Sequence, residues 1–201
     1  VVDTNNQVRL RGPFDKIKPF QQGLTFAVAK NRSLILNSKG EAVDFKVGKP
    51  IFFGEGLFGV SETLTGTNNK ERYFYADGSG NNLFGRYFGS INEYQLGVAK
   101  VANETSKKES RKLLGAINNR GVLIVPLKYN NLHIQPDGNI IINPQRLFGL
   151  ADKNGKILLA PAYDRISRLR ENDLFRVERG EKVGYLRIKN DQVEWIWALT
   201  N

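Results

Sequence analysis

The sequence predicts an all-β protein of about five tandem antiparallel β-hairpin repeats of roughly 35–40 residues, in an open or curved stack. Closure into a β-propeller or barrel is the alternative. Three observations carry this prediction. β-Branched and aromatic residues alternate with polar ones and no helical period is sustained. Gly, Asn and Asp punctuate the chain about every ten residues, as strand-turn-strand units require. One string also recurs: Phe148-Gly149-Leu150-Ala151-Asp152, a turn at Asn154-Gly155, Ile157-Leu158-Leu159, then Pro161-Ala162-Tyr163-Asp164-Arg165-Ile166. Its marks return at Leu114-Gly115-Ala116-Ile117 with Gly121, Pro126 and Tyr129, and at Val183-Gly184-Tyr185-Leu186.

Each element follows from a repeated local signal. A corner is read at Phe14-Asp15-Lys16-Ile17, Phe88-Gly89-Ser90-Ile91, Tyr129-Asn130-Asn131-Leu132 and Tyr163-Asp164-Arg165-Ile166. A strand follows each: Gly56 to Val60, Gly97 to Val101, Gly138 to Ile142 and Asp173 to Val177 fit a sheet buried on one face. Gly23 to Val28 carries one extra residue, which predicts a bulge there. Ser38-Lys39-Gly40, Asn119-Arg120-Gly121 and Asn154-Gly155 supply the positive φ of tight turns. Asp15, Asp152 and Asp164 fall on repeated turn positions, where a carboxylate caps backbone N–H groups. A single β-repeat domain over 1–201 is expected, with the repeat-like region at 13–197.

These residues resemble the bacterial WG-repeat family, whose units run as aromatic-Gly-Tyr-Ile-Asp, a turn ending in Gly, a short apolar strand, Pro-x-Tyr-Asp-x-Ile and Gly-Leu-Ala-x-Val. The resemblance spans 13–197 and is strongest from 113 onward. The namesake Trp is replaced by Leu114, Phe148 and Val183, and the second copy keeps only Tyr73-Phe74-Tyr75-Ala76-Asp77 with Gly80. The resemblance implies a β-hairpin repeat, often in secreted or envelope proteins, and brings no catalytic residues with it.

Composition narrows the function classes. The formal net charge of +10 raises the weight of a polyanionic partner, although cations and anions interleave along the chain as on an ordinary solvated sheet face. With no cysteine, disulfides, thiolate chemistry and Cys-type zinc sites are excluded. The absence of Met, even at position 1, reads as a processed chain or an excised piece, and fits an envelope protein that has lost its signal peptide. A periplasmic or secreted location is therefore expected, with the cytoplasm open. No apolar run approaches the roughly 20 residues of a transmembrane helix.

The chemical motifs are weak. Gly54-Glu55-Gly56-Leu57-Phe58-Gly59 matches a dinucleotide fingerprint, but the β-branched, loop-like residues that follow offer no helix N-terminus for a pyrophosphate. The sole histidine, His133, lies beside a corner rather than in a nucleophile turn. No cofactor, metal or catalytic residue is assigned, and a non-enzymatic role is expected. Trp195 and Trp197 share one face of a regular strand by the two-residue period. There they either close the end of the core or form an aromatic platform, and the first is favoured.

The chain departs from its own repeat by adding residues, at Ser61 to Arg72 and Ala102 to Lys112. Both insertions are polar and fall at the same point of neighbouring copies, so equivalent loops are expected to emerge on one side. They supply the candidate partner contacts Thr65, Asn68, Asn69, Lys70, Arg72, Lys107, Lys108, Arg111 and Lys112. The expected function is a non-catalytic protein-binding module of a bacterial envelope or secreted protein. Its specific version is an immunity or inhibitor protein that blocks an effector enzyme, and polyanion or glycan binding is the alternative.

Overall fold

The computed structural model is described over residues 12–44, 48–66, 70–105, 111–169 and 174–199, and there every regular element is a β-strand. The chain divides into two compact units, 1–93 and 94–201. The N-terminal unit holds β1 (Lys16–Ile17), β2 (Leu24–Ala29) and β3 (Arg32–Asn37) in one sheet, β4 (Lys49–Gly54), β5 (Leu57–Thr63) and β6 (Glu71–Ala76) in a second, and the short β7 (Ser90–Ile91). The C-terminal unit holds β8 (Val98–Ala102), β9 (Leu114–Asn118) and β10 (Leu123–Tyr129) in one sheet. Its next sheet runs β11 (Asn131–Ile134), β12 (Ile140–Asn143), β13 (Phe148–Ala151) and β14 (Ile157–Tyr163). Its last runs β15 (Arg165–Arg168), β16 (Leu174–Arg179), β17 (Lys182–Lys189) and β18 (Gln192–Trp197). Five antiparallel sheets result, with sequence neighbours paired and none closed into a barrel.

The expected corners hold. Phe14, Phe88, Tyr129 and Tyr163 each stand two residues before the first strand of a copy, namely β1, β7, β11 and β15. The Asp that follows does the predicted capping. Asp15 Oδ2 accepts the Lys30 N–H at 2.8 Å and Asp164 Oδ2 accepts the Gly180 N–H at 2.6 Å, so each corner is tied to the turn after the second strand. A second capping site closes the third strand. Oδ1 of Asn37, Asp77, Asn118 and Asp152 accepts the N–H groups two and four residues on, at 2.8–3.0 Å. Asn and Asp serve alike because only an acceptor oxygen is required.

The bulge expected in the first copy is absent: β2 and β3 pair without a break from Leu24↔Asn37 to Ala29↔Arg32. The irregularities fall elsewhere, chiefly between third and fourth strands, at β9–β10, β13–β14 and β17–β18. This position explains the repeated glycine. A Cβ on Gly115 would stand 2.5 Å from the Val125 carbonyl oxygen, and one on Gly149 would stand 2.7 Å from that of Leu159. The irregular fourth strand crosses the third so closely that only glycine fits beneath it.

The cores follow strand alternation. In the N-terminal unit Phe26, Ile35, Phe53, Phe58, Val60, Phe74 and Ala76 pack together, with the Phe53 and Phe58 rings stacked at 4.2 Å. In the C-terminal unit the middle sheet is buried on both faces: Ile140, Ile142 and Ala151 pack with Val98, Ala116 and Val125, while Ile141, Leu150 and Leu159 pack with Ile166, Phe175, Val177 and Leu186. The paired row Ile141–Leu150–Leu159 has its counterpart in the last sheet in Arg176–Tyr185–Trp197. The last sheet thus exchanges aliphatic side chains for polar and amphipathic ones along this row.

The tryptophans depart from expectation. Tyr185 pairs with Trp197 while Leu186 pairs with Trp195. Neighbouring residues of β17 point to opposite faces, so their partners do as well, and the shift puts the two indoles on opposite sides of the sheet. Trp197 is 64% exposed, while Trp195, 37% exposed, lays the end of its ring over the buried Gly184 of β17.

Candidate functional site

The connection between second and third strands is where the copies differ. It is two residues in the first copy, Lys30 and Asn31, both at positive φ, and two in the last, Gly180 and Glu181. It spans 144–147 in the fourth copy, 64–70 in the second and 103–113 in the third. The insertions thus sit at one point of the unit, as expected, within narrower limits: β5 and β6 stay paired out to Thr63↔Glu71. The first insertion belongs to the N-terminal unit and the second to the C-terminal unit.

Each loop is pinned at its base. The Leu64 N–H donates to the Lys70 carbonyl at 2.9 Å, and Thr65 and Lys70 are exposed beyond it. In the third copy Asn103 acts as a clasp. Its N–H donates to the Leu113 carbonyl at 3.0 Å, its Oδ1 accepts the Leu113 N–H at 2.7 Å, and its Nδ2 donates to the Arg111 carbonyl at 3.2 Å. Arg111 and Lys112 are exposed. Asn68, Asn69, Lys107 and Lys108 lie outside the described residues.

Arg72 is placed differently from its neighbours in the expected contact set. It lies on β6, where Nε bonds Glu62 at 2.7 Å and the guanidinium stands 3.5 Å from the centroid of the Tyr87 ring. Those ties hold the arginine within its own sheet. Nothing local announces Tyr87 as its platform. Beside it the Tyr73 hydroxyl donates to Glu71 at 2.7 Å, and this hydrogen bond, aided by burial and by the Glu71 charge, raises the phenol above its usual 10.0.

Other candidate chemistry is absorbed by structure. Gly54 to Gly59 form the β4–β5 hairpin, with Glu55 and Gly56 at positive φ and no helix following. His133 is exposed on β11, paired with Ile141. A hollow of about 250 Å³ in the C-terminal unit is lined by Asp137, Asn139, Lys153 and Asp191. Asp137 there is engaged with Arg168 at 3.4 Å and with the Asn139 N–H at 3.0 Å. Among the described residues no group of three or more His, Cys, Asp or Glu could hold a metal ion, and no helix is long and apolar enough to cross a membrane.

Residues 148–182 match the family model of the WG containing repeat. The match runs from the start of β13 through β14, β15 and β16 to the first residue of β17, so this stretch carries a repeat of the WG type. No curated protein matches the sequence. Among solved structures, Kluyvelomyces marxianus Hsv2 is similar with a TM-score of 0.47 and 13% identity over 93% of this chain. The chain spans 64% of the length of that protein.

Proposed function

We propose that this protein is a non-catalytic protein-binding module that meets its partner through its elongated connections, 64–70 in the N-terminal unit and 103–113 in the C-terminal unit. One observation carries the reading. The paired strands, corner caps and glycines follow a shared plan, whereas these two connections alone grow to seven and eleven residues. Elongated loops on a rigid repeat are where binding collects, because they change without disturbing the core. The specific form is an inhibitor that blocks the cleft of an effector enzyme, in an envelope or secreted setting. Exposed Lys70, Arg111 and Lys112 favour an acidic rim on that partner.

Photo-crosslinking tests this reading. A benzoylphenylalanine at Thr65 or Arg111 is expected to yield one protein adduct from native extract that survives 0.5 M salt, and none from exposed Val122. Equal adducts at all three positions would refute it. Retention on heparin that disappears at moderate salt, and on charge reversal of Lys70, Arg111 and Lys112, would instead establish the polyanion reading.

A further inference from the structure

We propose that the edge of β18, unpaired among the described residues, is a second binding site, which takes an extended apolar segment of a partner protein as an added strand. The fourth strands β10, β14 and β18 are each the outer strand of their sheet. An outer strand presents unpaired backbone groups, and proteins guard such edges with proline. β10 carries Pro126 and β14 carries Pro161, while β18 carries none. β18 is also the most open of the three: of its six residues only Val193 is half-buried. Ile196 is 48% exposed between Trp195 and Trp197.

The register shift that separates the indoles gives this edge its shape. Trp197, on the face of Tyr185, gives a strand laid along β18 an exposed aromatic ring on one side, while the Trp195 ring, on the face of Leu186, turns inward over Gly184 of β17. Main-chain hydrogen bonds would supply the affinity and the exposed Trp197 and Ile196 the side-chain anchors, as in strand-addition recognition.

The size of the edge selects the occupant. Six residues span about 20 Å, and a stable contact between folded units needs about 20–30 residues on each side. The strand is too small to hold a second copy of the chain and large enough for a peptide. Exposed Lys189 on β17, in a chain of net charge +10, favours a segment with acidic ends, whereas Arg187 beside it is already engaged by Glu194 of β18 at 3.7 Å. The proposal does not depend on the loop surface, which involves other connections of the repeat.

The test uses the whole chain and the peptide acetyl-Glu-Val-Thr-Val-Thr-Val-Glu-amide. Trp195 and Trp197 are the only tryptophans, so intrinsic emission reports the site directly. A saturable blue shift is expected. N-methylation of the three valines should weaken binding at least about tenfold by removing ladder donors on one edge. Trp197→Ser should weaken it at least about fivefold while the thermal midpoint stays put, with Trp195 as reporter. Ile196→Thr keeps a β-branched strand residue and serves if Trp197→Ser fails to fold. The proposal is overturned if no saturable shift occurs, if the methylated peptide binds as well as the parent, or if sedimentation shows a concentration-dependent dimer that Trp197→Ser dissolves. That last result would make the occupant a second copy.

Discussion

Replacing Gly149 by Ala tests the packing that repeats along this chain. The added Cβ would lie 2.7 Å from the Leu159 carbonyl oxygen, 2.9 Å from the Pro161 nitrogen and 3.1 Å from Pro161 Cδ. Two of these atoms are backbone, so no side chain can rotate away and β14 itself must move outward. Overfilling a packed site costs about 1–3 kcal/mol. Against this stands the smaller unfolded-state entropy of Ala, which returns about 0.4–1 kcal/mol. The net expectation is a loss of about 1–2 kcal/mol, or roughly 2–8 °C in thermal midpoint for a chain of this size. Gly54→Ala is the control, because its Cβ would meet only Glu93 side-chain atoms, at 3.7 and 3.9 Å, without a positive φ. It should be neutral or slightly stabilising. Calorimetry on both variants settles the point: an unchanged or raised midpoint for Gly149→Ala would refute the account of the repeated glycine.

Further outcomes follow from the caps and the candidate side chains. Asp152 is 2% exposed, so Asp152→Ala should cost about 1–3 kcal/mol in urea unfolding by stranding two N–H donors, whereas Asp152→Asn should be nearly silent, since Asn37 and Asn118 already fill that role. Burial opposes ionisation of Asp77, but hydrogen bonds from the Asn81 side chain and from the N–H groups of Asn81, Ser79 and Gly80 prevail and hold its pKa below 3.8. A depressed folded-state pKa adds stability that is complete above the unfolded value and disappears as pH falls through the folded one. The thermal advantage of wild type over Asp77→Asn should therefore shrink between pH 5 and pH 2, and a pH-independent difference would contradict the assignment. His133→Ala should leave partner binding within about tenfold, roughly 1.4 kcal/mol, because the ring is exposed on β11; a thousandfold loss with the fold intact would place an active role there.

Much of the fold was legible because it is written in local signals. Corners announce themselves as an aromatic followed by Asp, Asn or, at Phe88, Gly, turns as Gly or Asn, and the elongated connections as polar residues interrupting a repeat. What escaped was register. The two-residue period assigns Trp195 and Trp197 to one face only if pairing is regular, and the shift between Tyr185 and Leu186 reverses that conclusion. The extra residue of the first copy was likewise absorbed without a bulge, since the Leu24 to Ala29 pairing is continuous. Arg72 read as a loop cation because its partners Glu62 and Tyr87 lie ten and fifteen residues away and meet it only across the sheet. Register and cross-strand contacts are spatial facts with no short-range signature.

The loop surface stands or falls on a single exchange. Residues 64–70 and 103–113 are each replaced by the two-residue Gly-Glu turn of the last copy, and the affinity for the photo-crosslinked partner is measured on the folded product. Shortening a connection removes closure entropy, and none of the described residues of the two connections is buried in the cores, so the fold should persist. The account predicts at least about a hundredfold loss of affinity, near 2.7 kcal/mol, with the thermal midpoint within a few degrees of wild type. Undiminished affinity in the trimmed chain would contradict it and move the partner surface off these loops.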